Sequence, residues 1–153
     1  MKSDQTAIRR AGPADAEAIS NMVAAAYRHY IDRIGKPPGP MLDDYADVIK
    51  RHIVFVAETD RIVGVLVLIR TADSMLLDNI AVDPEQQGKG LGKRLLQLAE
   101  AEARKRDLDR LELYTHETMT ENIELYRSLG YVETERKQVR GYRRVYLQKN
   151  LSG

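Results

Sequence analysis

The chain has no cysteine. Disulfides, thiol nucleophiles and thiolate metal sites are therefore excluded, and the composition is compatible with a reducing cytoplasm. An excess of either charge is also missing: 24 Lys and Arg stand against 23 Asp and Glu, a formal net charge of +1. A surface built for polyanions shows a strong basic excess, so nucleic acid is not expected as the main partner. The opening stretch, MKSDQTAIRRAGPADAEA, holds no apolar signal core, and the apolar run that includes Val63 to Ile69 is far too short to cross a bilayer. The expectation is a soluble, cytoplasmic protein with no membrane partner. Repeats, low-complexity tracts and linkers are absent too. The one loop-like tract of note is Ile34 to Pro40, IGKPPGP, whose prolines oppose both helix and sheet interior. With 153 residues, 43% of them hydrophobic, residues 1–153 are expected to bury one core as a single domain.

What is present reads as alternating strands and helices. A short strand near Thr6 to Arg9 gives way to Gly12-Pro13, a good helix start because proline at the first helical position lacks only an amide that would go unpaired anyway. Ile19, Met22, Val23, Ala26, Tyr27 and Tyr30 recur at helical spacing, and Met41, Leu42, Tyr45, Val48 and Ile49 suggest a second, shorter helix. HIVFVAETDRIVGVLVLIR reads as a hairpin turning at Thr59-Asp60, and Met75 to Val82 as a further strand that ends at Asp83-Pro84. From Leu91 to about Asp107 an apolar stripe of Leu91, Leu95, Leu98 and Ala99 runs among charges, followed by a strand from Arg110 to Thr115. Strand, long helix, strand is a crossover unit with its two strands parallel. A helix from Met119 to Leu129, stopped by Gly130, and two strands, Tyr131 to Lys137 and Tyr142 to Lys149, close the chain. The predicted class is α/β in the α+β sense: a mixed, mostly antiparallel sheet of about seven strands flanked by about four helices, with strands 4 and 5 parallel. The last hairpin leaves a strand edge that could pair with a second copy, so a homodimer is among the expected assemblies.

PEQQGKGLGKRLLQLAEAEARK places three glycines in five positions directly before the long helix. A helix N-terminus presents unpaired amides and about half a positive charge, which together favour phosphate. Glycines at 88, 90 and 92 would let the backbone curl around an anion at the carboxyl edge of the parallel strands. The alternative is a flexible loop and helix cap. A triphosphate-binding loop needs G-x-x-x-x-G-K-[ST], but only three residues separate Gly88 from Gly92 and Arg94 follows Lys93. A dinucleotide fingerprint needs G-x-G-x-x-G directly after a strand, whereas the spacing here is G-x-G-x-G with DPEQQ intervening.

LLDNIAVDPEQQGKGLGKRLL resembles motif A of the GNAT superfamily of acyl-CoA-dependent N-acyltransferases, whose core pattern [QR]-x-x-G-x-[GA] falls on Gln87, Gly90 and Gly92. AIRRAGPADAEAI is similar to that family's first strand and helix, and NIELYRSLGYVETE to its motif B. The likeness covers nearly the whole chain. It implies strands 4 and 5 splayed into a V-shaped opening, acetyl-CoA as co-substrate, no metal, and an amine acceptor that is a small molecule or a peptide. The acceptor and the length of the acyl group are not identified by the motifs.

By the same resemblance, Gln87 and the backbone amides of Gly88, Lys89, Gly90, Leu91, Gly92 and Lys93 would hold the coenzyme A pyrophosphate. The main chain of Ile80, Ala81 and Val82 would pair with the pantetheine arm like an added strand, with an amide near Ile80 facing the thioester oxygen. Tyr126 would protonate the departing thiolate, a phenol of reference pKa about 10 serving a thiol of about 8.5; otherwise it is a core tyrosine in the stripe Met119, Ile123, Tyr126. Asn122, one helical turn earlier, is a candidate coenzyme ligand, although the family pattern puts its asparagine where this chain has Met119. Asp78 and Asn79 lie where some relatives carry a glutamate base, and alternation predicts that only one of them faces the opening; a water relay is the alternative. The acceptor pocket is expected around Tyr27, Tyr30 and the acids Asp43, Asp44 and Asp47, which would suit a cation or else form only the wet side of a short helix. His29, His52 and His116 follow no metal spacing. The activity implied is direct transfer of an acetyl group to a primary amine. A non-catalytic acyl-CoA sensor of the same fold and a dinucleotide-type domain are the rivals.

Overall fold

The computed structural model describes residues 6–151. Seven strands form one sheet: β1 (Ala7–Arg10), β2 (Ile53–Glu58), β3 (Ile62–Arg70), β4 (Met75–Val82), β5 (Arg110–His116), β6 (Val132–Val139) and β7 (Tyr142–Asn150). Their order is β1-β2-β3-β4-β5-β7-β6, and every pairing is antiparallel except β4 with β5. Helices α1 (Ala16–Tyr27), the single-turn α2 (Ile31–Ile34), α3 (Tyr45–Arg51), α4 (Leu91–Lys105) and α5 (Thr120–Ser128) cover the two faces. No helix among the described residues is long and apolar enough to cross a membrane.

The sheet separates two cores. On one side Leu91, Leu95, Leu96, Ala99 and Ala103 of α4 pack with Leu66, Leu68, Leu111, Leu113, Val145 and Leu147. On the other, Ile19, Met22, Val23 and Ala26 of α1 pack with Tyr45, Val54, Val56, Val65 and Val67. The apolar spacings of α1 and α4 explain which stripe each helix buries, with Leu96 buried and Leu98 only partly so. The second expected helix is broken in two. Residues Gly39–Leu42 make a short 3-10 turn, and α3 starts only at Tyr45 because the Asp44 carboxylate caps it, accepting from the amides of Ala46 and Asp47.

β4 carries the feature that shapes the site. Val67 pairs with Asn79 but Leu68 pairs with Leu77, so Asp78 is an extra residue in the ladder. A bulge of this kind reverses the face that later residues present. Met75 and Leu77 point into the α4 core, whereas beyond the bulge it is Ile80 and Val82 that pack there and Ala81 that joins the α1 core. β4 pairs with β5 only over Met75–Leu77 and Leu111–Leu113. Farther on, β4 stays with β3 as far as Val82 and β5 stays with β7 as far as His116, so the two strands part.

Candidate active site

A cavity of about 410 Å³ opens where β4 and β5 diverge. Its floor is Leu77, Asp78, Asn79 and Ile80 of β4, one wall comes from Tyr114, Thr115 and His116 of β5 with Met119 just before α5 and Asn122 and Tyr126 on it, and Tyr27 and the loop from Pro38 to Asp43 lie opposite. Arg140, Tyr142 and Arg144 of the β6–β7 hairpin complete the mouth. The hairpin is tied across to the loop after α2: the Tyr142 hydroxyl donates to the Pro37 carbonyl at 2.6 Å, and Lys36 Nζ lies 3.9 Å from the Tyr142 ring centroid.

Of the expected site residues, Asp78, Ile80, Asn122 and Tyr126 line this cavity, whereas Ala81, Val82 and the turn from Gln87 to Lys93 do not. Alternation would have aimed only one of Asp78 and Asn79 at the opening; the bulge brings both to the α1 side, which corrects that expectation. Asn79 is buried and hydrogen-bonded. Its Nδ2 donates to the Tyr45 hydroxyl at 3.1 Å, and its Oδ1 lies 2.9 Å from the Tyr27 hydroxyl. That same hydroxyl is 2.9 Å from the Ile80 carbonyl, so its one proton serves one of the two oxygens. Asp78 instead accepts the Tyr114 hydroxyl at 3.4 Å and has no salt bridge among the described residues. Burial raises its carboxyl pKa, against the lowering effect of Tyr114, His52 and Arg144.

Tyr126 is 8% exposed, and its ring meets Tyr131 edge-on with centroids 5.9 Å apart. Among the described residues no hydrogen bond reaches its hydroxyl. Burial, with a smaller contribution from Tyr30, pushes the phenol up to about 12. Asn122 lines the same wall and donates to Met119 Sδ at 3.7 Å; the Thr115 hydroxyl reaches that sulfur at 3.2 Å. His116 Nδ1 accepts the Thr118 amide at 3.2 Å, which leaves the neutral ring's proton on Nε2, and burial lowers its pKa. Of the three candidate acids only Asp43 borders the cavity: Asp44 caps α3 and Asp47 pairs with Arg51 at 3.0 Å. Tyr114, Tyr142 and Arg144 were not singled out from the sequence. The alternation of Leu111 and Leu113 with Tyr114 was a usable signal for the first; the face presented by Arg144 depends on register.

The glycine loop leaves the far end of β4. Asp83 accepts the Glu85 amide and is paired with Arg61 at 2.7 Å, which fixes the chain's exit from the strand. Gly88 and Gly90 have φ of 81° and 86°, the left-handed region, and Gly90 is the residue from which α4 starts. Gly92 is already helical, and a Cβ there would meet only Val82 Cγ2, at 3.9 Å. Gln87 Nε2 donates back to the Val82 carbonyl at 3.1 Å. Lys89 and Lys93 are exposed, whereas Arg94 donates to the Thr6 carbonyl at 3.3 Å. No group of three or more metal-ligating side chains comes together among the described residues.

A family model described as the acetyltransferase (GNAT) family matches residues 17–131. Mycothiol acetyltransferase of Thermobispora bispora is 44% identical over 52 residues, a match that spans 34% of this chain and 18% of that protein's length. The crystal structure of PaiA N-acetyltransferase from Thermoplasma acidophilum in complex with coenzyme A aligns with a TM-score of 0.79 at 19% identity, covering 95% of this chain and 99% of that one. Ribosomal-protein-S18-alanine N-acetyltransferase from Escherichia coli aligns with a TM-score of 0.79 at 23% identity, covering 97% of this chain and 96% of the other. At such identities the two structures bear on the fold.

Proposed function

The chain belongs to the GNAT acetyltransferase family, and from that premise we propose that it moves an acetyl group from acetyl-CoA to a primary amine by direct attack of the amine on the thioester. The observation that carries this reading is the parting of β4 from β5 after only three paired residues, with a glycine-lined helix start at one end of the gap and a tyrosine-lined cavity at the other. The residues present suit the co-substrate. Beside the gap that β5 vacates, a strand-like pantetheine arm could run along Ile80, Ala81 and Val82, replacing the side-chain contacts that the Ile80 and Val82 carbonyls make with Tyr27 and Gln87. Left-handed Gly88 and Gly90 expose amides at the start of α4, where a diphosphate is favoured. Gln87, Lys89, Leu91, Gly92 and Lys93 border the same turn, and Asn122 stands on the wall of the gap.

Bound acetyl-CoA supplies the acyl carbon and a thiolate leaving group. Asp78 takes the proton that the acceptor ammonium must lose before its lone pair can attack, directly or through a water. Its raised pKa brings a carboxylate closer to the task of a base near neutral pH. The Tyr126 hydroxyl, which has no competing hydrogen bond among the described residues, then gives its proton to the thiolate as the carbon–sulfur bond breaks, and the second proton that the attacking nitrogen sheds in becoming an amide returns to the phenolate through water. A phenol pushed up to about 12 stays protonated throughout the working range. The burial that weakens it as an acid raises a thiolate's basicity in the same surroundings, so the transfer remains matched.

The test is release of free coenzyme A thiol on a panel of primary amines. Tyr126→Phe should lower kcat by about 10²- to 10⁴-fold while acetyl-CoA binds as tightly as before. Wild-type protein that binds acetyl-CoA yet acetylates no amine would support a sensor instead.

A further inference from the structure

Arg144 is a charge that the reaction as described does not use. Val145 and Leu147 of β7 point into the α4 core, so Arg144 faces the opposite way, at the register position across from His116, and lines the cavity. Its guanidinium carbon lies 3.9 Å from the Tyr114 ring centroid, and Nη1 donates to the Tyr146 hydroxyl at 3.3 Å. The Tyr114 and Tyr146 rings are themselves 5.6 Å apart. The ring contact and the bond to Tyr146 hold the guanidinium in place, and no other hydrogen bond from it is formed among the described residues. Among the described residues Arg144 forms no salt bridge, whereas its neighbour Arg143 pairs with Glu117 at 3.0 Å. Arg140, at the mouth of the same cavity, forms none either.

A half-buried guanidinium that forms no direct ion pair keeps donors for a ligand, and its planar fork is the match for a two-oxygen anion. The other pole of the cavity is acidic. One ring carries both: Tyr114 holds Asp78 at its hydroxyl and Arg144 on its face. A polycation fits this pattern poorly, because Asp44 and Asp47 are committed elsewhere and the hairpin side is basic.

We propose that the acceptor is of the amino-acid class, a small molecule whose primary amine is presented to Asp78 while its own carboxylate docks on Arg144. This rests on the acetyltransferase reading of the same site. A cavity of about 410 Å³ accommodates such a molecule. Arg144 then sets which amines are bound, and Asp78 and Tyr126 act on whichever is.

The experiment is thiol release from acetyl-CoA with the common α-amino acids, their carboxamides and their decarboxylated amines, such as lysine, lysinamide and cadaverine. The carboxylate-bearing members should be preferred in kcat/KM by about 10- to 100-fold, the scale of one charge-assisted bidentate contact. Arg144→Gln should erase that preference, read as the ratio of KM for carboxylate-bearing and decarboxylated members within the same variant because Arg144 also lowers the Asp78 pKa, with Arg144→Lys recovering part of it. Thermal melts establish that both variants fold. Equal or better use of the uncharged members, or a preference that survives in Arg144→Gln, would overturn the inference and leave the transferase reading standing. Absence of thiol release with every amine would remove both.

Discussion

Asp78 owes its raised pKa chiefly to burial, with Tyr114, His52 and Arg144 pulling the other way. The sign of the consequence follows from linkage. Above the ordinary carboxylate value of 3.8 the unfolded chain has released its proton while the folded chain still holds it. The stability this carboxyl contributes is therefore fully present below that value and is lost as pH rises through the raised folded value. At neutral pH an ionised Asp78 is a cost to the fold. Asp78→Asn should thus raise Tm at pH 8, with the gain shrinking toward pH 4, and should lower kcat/KM while abolishing the acid limb of its pH profile. Melts at the two pH values and a pH–rate profile measure both halves. A variant less stable than wild type at pH 8 would mean that Arg144 and Tyr114 outweigh burial, and would remove the argument for a base here. The candidate came from the sequence only through the family resemblance, which places a glutamate base on this strand in some relatives. Its orientation was not legible, because a bulge is set by the register of the neighbouring strand and leaves no mark in β4 itself.

The start of α4 separates glycines that the motif groups together. Gly90 holds φ at 86°, where an L side chain is strained, whereas Gly92 is helical with room for a methyl group beside Val82. Gly90→Ala should cost about 1–2 kcal/mol of stability and weaken acetyl-CoA binding as the turn relaxes. Gly92→Ala should be neutral or stabilising by about 1 kcal/mol at most and keep its affinity. Denaturant unfolding and calorimetric titration of the two variants would check the pair, and equal losses in both would mean that the amides are not positioned by the turn. The helix and the strand before it could be read from periodicity and from Asp83-Pro84, and β4 runs over the same residues, Met75–Val82, as expected. The fate of each glycine could not be read, because backbone torsion depends on where the chain must go next. The second helix shows a similar limit. Apolar spacing joined Met41 to Ile49, but the capping Asp44 carboxylate made the start of α3 the better place for a helix to begin.

At the scale of the whole molecule the cavity exists only through pairing. Tyr27, Asp78, Tyr114, Tyr126 and Arg144 are far apart in the chain, and no local signal joins them; the sheet order places β4 beside β5 and β5 beside β7. Element order could be read from the sequence, since it follows from periodicity and turn residues. The strap from Pro37 to Tyr142, and the stacking of Arg144 on Tyr114, follow from tertiary packing alone. A ligand lying along the gap would contact the end of β4, the start of α4 and the wall by α5, and so would stabilise the fold as a unit. At about 100 times its Kd such a ligand adds about 2.7 kcal/mol, which for a chain of this length corresponds to a rise in Tm of about 5–10 °C. Acetyl-CoA and free coenzyme A should both produce it, because the grip is on the diphosphate and the arm rather than on the acetyl group. Pantetheine without the diphosphate should give much less, and NAD and ATP, which carry a diphosphate but no arm that can add to β4, should also fall well short of acetyl-CoA. A shift with NAD or ATP matching that with acetyl-CoA would show that the glycine turn alone holds the ligand and that the parted strands contribute nothing to binding.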